Sequence, residues 1–324
     1  MKVFEAVQKG MSLVVEQRKQ VGIIYLVNVV LGAMLGIPLL LLLHDKVGHL
    51  LVRDQLASGF NFSWWSSFNL SADGLEATIR PSLSGGYGPL FDNLELLLTG
   101  DFAGYGWFVL FIALVYLFVA AFFNGGFIAT VSGERHPSSV SRFFAASGQF
   151  FHHMAALATT AVVLFFLFYK VIQPTLFSLA DSLTSHASQP VIWIANLVGY
   201  IVVLVLVFLI TLIFDYAKVI VIVEKKQSSW LCLWLSLKFI FKNFAKTVGM
   251  NAALLGIAAA LTIVGGAVIS LVTASQFLLL VLAILVQQLY IVLKIGMRLT
   301  FYGAEVSLYQ AQLAAMKPIK KRKR

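Results

Sequence analysis

Between Lys246 and Lys294 the chain carries no charged residue, and this run constrains the fold more than any other feature of the sequence. At about 1.5 Å per residue, a helix from Thr247 to Leu293 would be twice as long as the hydrocarbon core of a bilayer is thick. The run therefore holds two membrane spans joined by a turn. That turn is expected near Ser270 to Ser275, with Gly265-Gly266 as the alternative break. Hydrocarbon offers backbone N–H and C=O groups no partner except each other, so uncharged runs of this length are helices.

The same reading places spans at about 22–43, 104–123, 154–173 and 191–214, and divides the long run into 247–272 and 276–296. Hydrophobic residues make up 60% of the chain and charged residues 12%, where a soluble domain carries roughly a quarter charged. The apolar residues are continuous and do not alternate with polar ones, which excludes a membrane barrel. The expected fold class is all-α: a polytopic membrane bundle of about six transmembrane helices with amphipathic interfacial helices. Residues 1–316 read as one membrane domain and 317–324 as a basic cytoplasmic tail. The first apolar run is too long for a signal-peptide core and reads as a retained span.

Charge sets the orientation. With the N-terminus inside, 20 of the 24 Lys and Arg residues fall in inner segments, leaving Lys46, Arg53, Arg80 and Lys170 outside. This obeys the positive-inside rule at every connection and predicts a multi-pass protein of the cytoplasmic membrane with both termini cytoplasmic. The net charge of +10 is then a topology signal, and no nucleic-acid partner follows from it. The tail from Lys317 to Arg324 is suited to anionic lipids of the inner leaflet, at about 1 kcal/mol per near-surface charge.

Several connections are amphipathic. Phe4, Val7, Met11 and Val14 recur at helical spacing within residues 2–16, predicting an interfacial helix. The outer loop 44–103 carries two short amphipathic stretches, near Lys46 to Leu56 and Pro89 to Leu98, around the pair Trp64-Trp65, which suits headgroup anchoring. Ser138-Ser139 and Ser228-Ser229 each precede an aromatic stretch leading into a span. This predicts two similar Ser-capped interfacial helices.

Polar side chains within spans are the candidate sites, because hydrocarbon penalises them when unpaired. They are Asn28, Asn196, Gln287 and Gln288, together with Thr159-Thr160, and no carboxylate stands at a span centre. Such amides line a polar path or join helices by hydrogen bonds. Gly32 and Gly36 share a face with Asn28, while Ala252, Gly256 and Ala260 share a face of the fifth span. Small residues of this kind permit close helix approach, within the chain or in a homodimer.

Asp215 and Lys218 stand at i,i+3, which suits a paired or orienting acid better than a catalytic one. His152 and His153 are adjacent, hence about 100° apart on a helix, and do not make a two-ligand metal face. Cys232, the single cysteine, excludes an intrachain disulfide. No catalytic, cofactor-binding or metal-binding constellation emerges, and no cluster of acids and histidines of the kind an intramembrane hydrolase needs.

Asn124-Gly125-Gly126 closing a span, the aromatic helix from Phe143 to Phe151, and Asp215-Tyr216-Ala217-Lys218 leading through Glu224 to the segment Ser236 to Phe244 carry a resemblance. They resemble uncharacterised bacterial six-span inner-membrane proteins. They are also similar to membrane domains associated with some glycerophosphodiester phosphodiesterases and to membrane domains of unknown function. The resemblance implies a bacterial inner membrane and six spans, and it brings across no catalytic residue. The expected role is a non-enzymatic scaffold that interacts with lipid or membrane proteins. A small-solute transporter or channel lined by the span amides is the alternative.

Overall fold

The computed structural model describes residues 2–48, 61–72, 75–76, 79, 87–100, 107–133, 139–226, 228–271 and 277–316. Every regular element among them is helical. In chain order these are α1 (Val3–Glu16), α2 (Arg18–Gly48), α3 (Phe62–Ser71), α4 (Gly88–Thr99), α5 (Trp107–Ser132), α6 (Val140–Leu167), α7 (Gln173–Thr184), α8 (Gln189–Val223), α9 (Ser229–Lys242), α10 (Phe244–Leu271) and α11 (Phe277–Met316). Six long helical segments are apolar enough to cross a membrane, as the uncharged runs require.

The long uncharged run divides as expected, with α10 ending at Leu271 and α11 beginning at Phe277. Gly265-Gly266 stays inside α10, where the rings of Tyr290 and Tyr87 press against the two glycines. The turn residues 272–276, loop residues 49–60 and the basic tail 317–324 lie outside the described residues. Of the expected stretch from Lys46 to Leu56, only Lys46 to Gly48 is described, as the end of α2. Trp64 and Trp65 fall on α3, both packed on Phe68 at centroid distances of 5.1 and 5.5 Å.

Two connections that look alike in sequence fold differently. Ser228 caps α9, its hydroxyl accepting from the Leu231 N–H, and α9 stops at Asn243 before α10 begins. Ser139 makes no side-chain cap, and α6 runs unbroken from Val140 through the expected start of the third span. The cause is a continuous buried stripe, Phe143, Ser147, Phe150, Met154 and Leu157, with no breaker inside it. Where Pro174 finally interrupts the hydrogen-bond ladder, a π-helical turn over Phe168–Ile172 absorbs the mismatch and joins α6 to α7.

The fourth and sixth spans overrun their expected ends at 214 and 296. At about 1.5 Å per residue, α8 and α11 reach lengths of roughly 50–60 Å, well beyond a hydrocarbon core. Their surplus turns hold the main hydrophobic core, which joins Leu212, Phe214 and Val219–Ile222 of α8 to Leu299, Val306 and Leu308 of α11. The same cluster takes in Phe127 and Ile128 of α5, Phe143 and Met154 of α6, Cys232 of α9 and Met250 and Leu254 of α10. This core sits at the end of the bundle that carries both termini. Elsewhere the spans are loosely joined, and none buries more than 22% of its most apolar window inside the protein.

Helix α1 is amphipathic as the spacing predicts, but it lies against α11. Ala6, Val7 and Gly10 are buried, while Phe4, Met11 and Val15 stay exposed. The crossing depends on glycine: a Cβ at Gly10 would stand 2.7 Å from the Thr300 carbonyl oxygen and 2.8 Å from the Ala304 nitrogen. Gly303 meets Gly10 from the other side. Gly10→Leu should therefore force α1 off α11 and lower stability by about 1–3 kcal/mol, read as a lower unfolding temperature in detergent and faster proteolysis of α1. Gly256→Ala, where nothing lies within 4 Å, should leave both measurements unchanged.

Candidate functional site

Helix α11 carries Lys294, Arg298, Tyr302, Glu305 and Tyr309 at spacings of four, four, three and four, so they form one polar stripe. The stripe begins at the first charge after the uncharged run and descends into the terminal core. Arg298 Nη1 donates to the Tyr116 hydroxyl of α5 at 3.1 Å, and Lys294 Nζ stands 5.5 Å from the Tyr290 ring centroid. On α8, Lys218 Nζ donates to Asp215 Oδ1 at 2.6 Å and lies 5.6 Å from the Tyr302 ring. At the lower end, the Tyr309 hydroxyl donates to the carboxylate of Glu224.

Glu305 is sealed from solvent, and neither of its carboxyl oxygens has a hydrogen-bond partner among the described residues. The buried Tyr216 hydroxyl is likewise unpartnered there. Asp215, Lys218 and Asn251 lie within electrostatic reach of Glu305. Helix packing brings Asp215 and Glu305 within electrostatic reach of each other from segments ninety residues apart. Among the described residues, no three His, Cys, Asp or Glu side chains gather closely enough to hold a metal ion.

A cavity of about 380 Å³ opens between α2, α5 and α11. Its polar lining is Asn28, Tyr116, Asn124, Lys294 and Arg298, and its apolar walls include Ile24, Val27, Leu31, Val119, Phe123 and Ile291. A second cavity of about 520 Å³, between α1, α2, α10 and α11, is almost wholly apolar apart from Arg18, Tyr25 and Thr300.

The span amides separate. Asn28 donates to the Ile24 carbonyl of its own helix at 2.7 Å and faces the first cavity. Gln288 accepts from the Tyr25 hydroxyl at 2.9 Å, tying α11 to α2. Gln287 is exposed and Asn196 half-buried, and neither cavity is lined by Asn196, Gln287 or Gln288. Gly32, Gly36 and Gly256 have open space where a side chain would stand, and Ala252 and Ala260 are exposed. These faces turn outward from the chain.

The residues that sequence reasoning missed are Arg298, Tyr302, Glu305 and Asn251. For the three on α11 the signal was the 3.6-residue period, which continues past the last hydrophobic window and is invisible to a search that stops there; Asn251 is a polar residue in the first half of α10. No protein-family model, curated protein or solved structure matches the chain.

Asp215→Asn should leave the Lys218 ammonium without its carboxylate and cost roughly 1–3 kcal/mol, while the double change with Lys218→Met should recover part of the loss. Denaturant unfolding of the four proteins in a double-mutant cycle checks this. Burial, with the Glu224 charge adding to it, pushes the Cys232 thiol up to about 11. At pH 8 about one thiol in a thousand is then ionised, so maleimide should label the folded protein slowly and the unfolded protein fast.

Proposed function

We propose that this chain is a non-enzymatic, lipid-engaging protein of the bacterial inner membrane, with both termini in the cytoplasm, whose cavity between α2, α5 and α11 receives a lipid molecule. The observation that carries this reading is the mixed lining of the cavity. Apolar walls suit an acyl chain, and the polar groups that α2, α5 and α11 place among them suit the atoms where chain and headgroup meet. The loosely joined spans leave room for lipid between them, and the basic tail adds attraction to an anionic leaflet. Outward faces of small residues on α2 and α10 suit contact with a membrane-protein partner or a second copy. A transport path draws no support from the amides, because Gln288 is engaged with Tyr25 and Asn196 and Gln287 line neither cavity.

The test is lipid retention. Native mass spectrometry of the full chain, extracted in a mild detergent, should show a lipid bound to each protomer. Ala120→Trp, which fills the cavity from α5, should reduce that occupancy about tenfold with the fold intact by circular dichroism. A lipid-free wild-type chain would remove the proposal, and reporter fusions placing either terminus outside would remove its orientation.

A further inference from the structure

The lipid reading of the α2–α5–α11 cavity leaves the headgroup open, and the charges around the cavity narrow it. Two cations, Lys294 and Arg298, face the space, and no acidic residue lines it. The nearby carboxylates lie outside the cavity. Asp215 holds Lys218 at 2.6 Å, Glu224 takes the Tyr309 hydroxyl and stands 3.6 Å from Lys226, and Glu305 is sealed inside the core. The cavity therefore holds two positive charges with no carboxylate in its lining, Asp215 reaching Arg298 only from outside it, a costly state at the edge of a low-dielectric phase unless an anion joins them.

Geometry points to a single acceptor group. Lys294 and Arg298 are four residues apart on one helix face, so both can reach one tetrahedral anion. Arg298 donates to Tyr116 and also engages the Tyr302 hydroxyl, which leaves the other donors of its guanidinium fork for a phosphate. The site also lies at the right depth. Lys294 ends the uncharged run that begins after Lys246, so it marks the level where hydrocarbon gives way to headgroups. The apolar walls favour a phosphate carried on a lipid over one free in water. A trimethylammonium headgroup would bring a third cation to the two already present.

We propose that this cavity is a binding site for an anionic glycerophospholipid, with its phosphate held by Lys294 and Arg298 and an acyl chain laid along Leu31 and Ile291. The proposal rests on the lipid reading above and adds the class of headgroup. Its basis is the same as for other basic pockets between membrane helices, where a fixed cation pair selects lipid by charge.

The experiment uses the full chain in nanodiscs that contain phosphatidylglycerol and phosphatidylcholine in equal amounts, with bound lipid identified by native mass spectrometry after release. The wild type should retain the anionic lipid in about tenfold excess. Lys294→Gln with Arg298→Gln should abolish the excess, and Lys294→Gln alone, which leaves the Tyr116 contact intact, should reduce it severalfold. Lys242→Gln with Lys246→Gln, outside the cavity, should preserve it. Equal retention of both lipids by the wild type would overturn the proposal, as would an excess that survives the double substitution. Displacement by an equimolar amount of soluble glycerol phosphate would assign the site to a free anion and likewise overturn it. If the wild type holds both lipids equally and Ala120→Trp still expels them, the headgroup assignment falls while the lipid reading stands. A chain that retains no lipid ends both.

Discussion

The constraint on which the structure depends is that hydrocarbon does not drive apolar helices together. In water, burying a leucine face on its neighbour removes it from solvent. In lipid, the same face is as well solvated by acyl chains as by another helix. The six spans accordingly keep most of their apolar surface exposed, with Leu26, Leu114, Phe166, Leu197 and Leu285 all facing outward. Specific packing has to be built where water returns, and α8 and α11 supply it by running on past the bilayer. Their surplus turns, clasped by α1, α9 and the adjoining halves of α5, α6 and α10, make a core of ordinary globular character.

Glycine enters this arrangement as a packing device at a few points. Gly10 lets α1 cross α11 at backbone contact, and Gly126 does the same between α5 and α6, where a Cβ would stand 2.8 Å from the Phe143 carbonyl oxygen. Both contacts belong to the packed end. The Gly32–Gly36 and Ala252–Gly256–Ala260 faces, also made of small residues, are turned outward, and a Cβ at Gly32, Gly36 or Gly256 would meet nothing within 4 Å. A small-residue spacing states that close approach is allowed; whether a neighbour arrives depends on the rest of the packing.

This difference explains what was legible in the sequence. The spans, their number and the break between α10 and α11 follow from solvation of the backbone, a one-dimensional property of runs of residues. The continuity of α6 and the length of α11 do not. Both depend on side chains from distant segments burying a stripe that, read locally, resembles an interfacial helix or a charged tail. Asp215 and Lys218 could be paired in advance because they are neighbours on one helix. Glu305 could not be placed beside them, since its position is set by the crossing of α8 and α11 and by nothing in its own neighbourhood.

The polar stripe of α11 ties these observations to one place. Going down the helix from the membrane, it passes from Lys294 and Arg298, which face the cavity, to Tyr302 and the Asp215–Lys218 pair, and then to the enclosed Glu305. The first two residues meet the space between loosely joined spans, and the last is locked in the rigid core. The boundary between the two regimes therefore crosses the stripe between Arg298 and Glu305. A charge on the open side can change partners with little disturbance to the fold, because its surroundings are lipid and headgroup. A charge on the closed side is fixed by packing on every face. The proposed binding at Lys294 and Arg298 would thus fall where the chain is free to respond, above the part that holds it together.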